Sequence, residues 1–131
     1  MKMIKMMALA ALISGAASAN ETLALTMSQM ENGLSNVQKG FLYNTPALIK
    51  GGVSEIQKAN ALFHNGDDTK KYLPKDKQHM SNIAYNAAKR IDASSNDLLK
   101  ALNNKEYSKA HQSYSEIVNA CTACHAVVRG W

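Results

Sequence analysis

The sequence predicts an all-α protein, an antiparallel up-down-up-down four-helix bundle. Apolar residues recur at steps of three and four in four separate segments, the period of helices with one buried face. The stretches between these segments are short and polar, or carry Gly, Asn and Pro. No stretch alternates apolar and polar residues as a half-buried strand does.

The first segment carries Leu23, Met27, Met30, Leu34 and Val37 in a heptad-like seam, with a stop expected near Gly40. The second opens with Thr45 as N-cap and Pro46 at the first helical position. Its stripe is Ile49, Val53, Ile56 and Phe63, and Asn65-Gly66 is expected to end it. Gly51-Gly52 lies inside this segment, where each glycine costs roughly 1 kcal/mol against alanine. The pair therefore marks a kink, a close approach to the backbone, or a tolerated weakness. Residues 65–76 are polar, include Pro74 and read as the longest loop. A third segment is expected from about Asp76 to Leu102 through Met80, Ile83, Ala84, Ala87, Ile91 and Leu98, with Asn103-Asn104 as the break. The fourth carries Tyr107, Ala110, Tyr114, Ile117, Cys121, Cys124 and Val128.

Residues 1–19 have the layout of a secretory leader. Lys2 and Lys5 precede an apolar run from Met6 to about Ile13, and Ala17-Ser18-Ala19 forms an A-x-A cleavage pattern. The run is too short to span a bilayer, and no later run approaches a span. Cleavage leaves residues 20–131 as one small exported domain, expected in the periplasm, with no internal repeat or linker. Of the full-chain charge of +5, Lys2 and Lys5 leave with the leader and no acid does, so +3 remains. With no arginine cluster and no basic stripe, that surplus argues against nucleic acid and suits an acidic protein partner.

Both cysteines fall in C-x-x-C-H, formed by Cys121, Cys124 and His125, the attachment signature of c-type haem. Residues three apart share a helical face. Two sulfurs so placed bond the two vinyl groups of one porphyrin, and the adjacent imidazole turns onto the iron as proximal ligand. Export agrees, because those thioether bonds are made on the outer side of the bacterial membrane. A thioredoxin-like C-x-x-C opens a helix in a βαβ setting, whereas this pair closes a helix in an all-α pattern. Zinc needs two further ligands, and no second cysteine pair exists. A disulfide across so small a loop stabilises little. The expected cofactor is one covalent haem c. No nucleophile–base pair accompanies it, so the chain reads as a carrier and not as an enzyme.

The other histidines fit ligation less well. His111 precedes His125 by fourteen residues, about 21 Å along one helix. His64 and His79 flank the long loop and read as surface residues. Lys70, Lys71, Lys75 and Lys77 crowd that loop, with Asp67, Asp68 and Asp76 offsetting most of their charge.

A four-helix chain with a C-terminal C-x-x-C-H resembles the cytochrome c-prime family, across residues 20–131 in helix order and over CTACHAVVR in detail. That family follows its histidine with two residues, then an aromatic and a basic one. Here Val128 stands where tyrosine is usual, and Arg129 is the basic residue that the resemblance places near the haem. Without the resemblance, Arg129 reads as a helix-end arginine favoured by the dipole. In an up-down-up-down bundle the end of the fourth helix lies beside the start of the first, which brings Met27 and Met30 to the haem. The first helix also resembles that of the soluble b-type bundle cytochrome, and aligning the seams sets Met27 at the axial position with Met30, Leu34 and Val37 packing on the haem. Otherwise both methionines are core fillers. Ligation by Met27 implies a six-coordinate electron carrier that works with redox partner proteins, the reading adopted here. A distal face left open implies a five-coordinate haem that takes a small gas such as nitric oxide in a cavity bounded by Leu23 and Met30. A haem subunit of a larger respiratory complex is a third, weaker reading. The resemblance also implies a homodimer through the first two helices, although no large apolar patch is evident among their exposed positions.

Overall fold

Helix α1 (Ser14–Leu42) runs past its expected stop, because Gly40 is an interior residue of the helix. A Cβ at Gly40 would lie 2.4 Å from Ile49 Cγ1 and 2.8 Å from the Ile49 nitrogen, so this glycine admits a neighbouring helix. The turn comes after it, where Asn44 takes a left-handed φ of 51° and Thr45 N donates to the Gly40 carbonyl at 2.8 Å. Helix α2 (Pro46–Asn60) then starts as expected, with Thr45 at the N-cap and Pro46 in its first turn. The Thr45 hydroxyl donates to the Tyr43 carbonyl at 3.3 Å and not to the helix, so the cap acts through backbone position.

The expected stop at Asn65-Gly66 proves to be a start. Helix α2 ends at Asn60 and tightens into a 3-10 turn over Ala61–Phe63. Asn65 then caps the short helix α3 (Gly66–Thr69), its side chain accepting from Asp67 N and Asp68 N. The long loop is accordingly a chain of helical turns, continued by Lys70–Tyr72 and Lys75–Met80. The stretch from Asp76 to Met80 was expected to open the next long helix but is 3-10, and helix α4 is Ser81–Asn103. Lys105, at φ 59°, turns the chain into helix α5 (Tyr107–Val128). Tyr107, expected in the apolar stripe, is exposed at the first turn of α5.

The structure is a computed structural model that describes residues 14–130. Apart from the start of α1 at Ser14, the expected leader over residues 1–19 lies outside them. The described residues are helical, with no strand, and no helix among them is long and apolar enough to cross a membrane.

Cross-helix contacts fix the register. Gly33 faces Ile56 and Gly52, while Gly52 faces Val37, so α1 and α2 run antiparallel. Between α2 and α4, Gln57 bonds Asn96 and Asn60 bonds Asp92, again antiparallel. Tyr114 of α5 reaches the Leu34 carbonyl of α1, and the His111 ring packs edge-on to Phe41 at 5.2 Å. Val37, Val53, Ile56, Leu98 and Ile117 are fully buried where the four long helices meet. Toward the N-terminal half of α1 the packing opens: Leu23, Met27 and Leu34 are only partly buried. Their seam faces a cavity there instead of a neighbouring helix.

Gly51-Gly52 divides by residue. A Cβ at Gly52 would stand 2.5 Å from the Gly33 carbonyl oxygen and 2.8 Å from Val37 N, so this glycine lets two backbones touch. At Gly51 nothing lies within 4 Å, and that position is the tolerated weakness. Helix α2 is continuous through both.

Candidate functional site

The seam of α1 and the last two turns of α5 bound one cavity of about 750 Å³, inside the range of about 300–1,000 Å³ usual for small-molecule and cofactor sites. Extending the Leu34–Tyr114 contact by two turns brings Cys121 level with Met27. Cys121, Cys124 and His125 line the cavity from α5, and Leu23, Met27, Met30 and Leu34 line it from α1. Arg129 lies at the same wall, one turn beyond His125, with its amide donating to the His125 carbonyl at 2.8 Å. All six residues singled out from the sequence therefore border one space.

Why the cavity is there follows from side-chain size. Helix α4 turns Ala84, Ala87 and Ala88 toward it, and α5 adds Ala120. Four alanines in a row of helix contacts leave the width that leucines would fill. Phe63, Tyr72, Leu73 and Pro74 cover the end of the cavity from the connecting turns, where Phe63 and Tyr72 meet edge-on at 6.4 Å between centroids. Lys71 and Glu31 supply charge alongside Arg129.

The chemistry of the α5 groups is set by burial. Both thiols are free of disulfide. Burial pushes the Cys121 thiol up, the neighbouring Cys124 adds to that, and burial alone raises Cys124. A dithiol oxidoreductase needs the reverse, a depressed thiol. Burial lowers His125, and the Arg129 charge lowers it further, which favours a neutral imidazole with a free lone pair. Among the described residues no three His, Cys, Asp or Glu side chains cluster as a metal site would require. The sulfur and imidazole donors facing the cavity are two thiols, one imidazole and two thioethers.

The remaining histidines lie elsewhere. His111 sits on Phe41 at the far end of the helices, His79 is exposed in its 3-10 turn, and His64 pairs with Asp92 at 2.5 Å. One lining residue escaped the sequence reading. The α2 stripe of Ile49, Val53 and Ile56 steps next onto Asn60, a fully buried amide in an apolar register. A polar residue in that slot was the available signal. Comparison with family models, with curated proteins and with solved structures finds no match.

Proposed function

We propose that the chain is an exported monohaem c-type cytochrome, an up-down-up-down four-helix bundle of the cytochrome c-prime kind that carries electrons in the periplasm. The observation that carries this reading is the convergence of Cys121, Cys124 and His125 with Met27 and Met30 on one largely apolar cavity. The residues suit a haem: thiols three apart on a helix for the vinyl groups, an imidazole that burial and Arg129 bias toward its neutral form, an alanine-lined wall for a flat ring, and Lys71 and Arg129 for its carboxylates. Haem iron supplies a one-electron couple. Cys121 and Cys124 would anchor the ring, and His125 and Met27 would supply its iron with a nitrogen and a thioether ligand. A methionine ligand raises the potential. The apolar wall would limit water at the ring, and two protein ligands would let the iron change charge with little rearrangement. The leader pattern over residues 1–19 supports export. As for the homodimer that the resemblance implies, the exposed leucines of α1, Leu25 and Leu42, lie about 25 Å apart along the helix and form no single patch.

Optical spectra of the ferric and ferrous protein test the distal assignment. The expected wild type is low-spin, Met27→Ala is high-spin and binds carbon monoxide when reduced, and Met30→Ala keeps the wild-type coordination. Alanine at position 27 leaves an apolar void that water enters reluctantly. A wild type that is already high-spin transfers the reading to a five-coordinate gas binder, with Met27 a packing residue. A change in Met30→Ala alone moves the ligand by one turn.

A further inference from the structure

Asn60 is fully buried at the end of α2. Its Nδ2 donates to the Ala88 carbonyl at 2.8 Å and to Asp92 Oδ1 at 3.0 Å, both on α4. Those bonds use both amide protons. Asp92 is held in turn through Oδ2 by His64 Nε2 at 2.5 Å. Turning the amide over would set its oxygen against two acceptors, so the side chain is locked in one orientation. The oxygen left over, Oδ1, is buried and finds no donor among the described residues. Asn60 belongs to the wall that Cys121, Cys124 and His125 share.

A buried carbonyl oxygen without a donor is costly, and such atoms in folded proteins are normally satisfied by something bound. We propose that Asn60 Oδ1 is the acceptor for an O–H group held in this cavity, with Asp92 and His64 as the residues that position it. The identity of the cavity's occupant rests on the haem reading; the locked acceptor does not. An ionised carboxylate is refused at this point, because Asn60 offers it an oxygen and no proton. Two sources supply the O–H: an ordered water retained beside the haem, or the undissociated carboxyl of a haem propionate. Both satisfy Oδ1 in the same way.

The test takes the haem-loaded full chain as wild type, Asn60→Leu and Asp92→Ala, with high-resolution crystal structures and oxidised-minus-reduced infrared spectra in light and heavy water. The expected wild-type structure has an oxygen within hydrogen-bonding distance of Asn60 Oδ1. The amide carbonyl band, assigned by its loss in Asn60→Leu, lies below the position of an unbonded amide because Oδ1 accepts a hydrogen bond. In Asp92→Ala the Ala88 carbonyl is the one acceptor left to hold the amide, the oxygen is less firmly positioned, and the band moves toward the unbonded position. A protonated-carboxyl band that moves in heavy water identifies the propionate, and its absence beside an ordered water identifies the water. Oδ1 packed only against carbon in wild type, with its band at the unbonded position, overturns the proposal. The wild-type measurements decide the matter even if Asn60→Leu fails to fold. Haem staining reads the parent assignment separately. If the chain takes up no haem, a crystal structure of the haem-free chain still decides whether Oδ1 holds water.

Discussion

Cys121→Ala/Cys124→Ala is expected to lose all haem staining after denaturing electrophoresis, while wild type matured in a competent host keeps it. Denaturant removes every noncovalent hold, any bond from His125 to iron included, so only thioether carbon–sulfur bonds would survive it. Cys121 and Cys124 are the only cysteines in the chain, and no other side chain can replace them. Each single alanine variant retains one anchor and should stain, more weakly. Helical circular dichroism should change little in the unloaded double variant, because both thiols border the cavity and neither is in the fully buried core. A matured wild type without stain would sink the cytochrome reading.

Gly52→Ala is expected to destabilise the fold by about 1–3 kcal/mol, the usual range for forcing extra volume into a packed interface. The new methyl would press on the Gly33 carbonyl and the Val37 nitrogen, which are backbone atoms and cannot rotate away. Relief requires α1 and α2 to separate, and that loosens Val37, Val53 and Ile56 together. Gly51→Ala, one residue earlier, meets nothing and should stabilise α2 by up to about 1 kcal/mol through helix propensity. Denaturant midpoints of the two variants should therefore move in opposite directions. Equal shifts would mean that the α1 and α2 backbones do not touch at Gly52.

Which parts of this were legible in the sequence follows from the kind of signal each leaves. Helix existence was legible, since a seam such as Leu23–Val37 repeats over several turns. Helix ends were less so. Gly40 reads as a stop because a glycine that admits a neighbouring helix looks the same in sequence as one that ends a helix. Asn65 caps a start as readily as it follows a stop, and the 3-10 turn over Lys75–Met80 carries the same residues that a first α-turn would. At the site, cysteine, histidine and methionine announce themselves by their chemistry. Asn60 does not, because its role depends on Ala88 and Asp92, which lie about thirty residues away in the chain. That the α1 seam faces open space was also invisible, for an apolar stripe records that something covers it and not what.

The contacts joining α1 to α5 have a consequence in time. Within each hairpin, α1 with α2 and α4 with α5, neighbours are close in sequence and can meet early. The bond from Tyr114 to Leu34 spans 80 residues and belongs to the later closing of one hairpin on the other. The wall carrying Cys121, Cys124 and His125 forms with the second hairpin, but the seam of Met27 and Met30 arrives only at that closure. A newly made chain thus offers its thiols to its surroundings before it has an interior to hide them in.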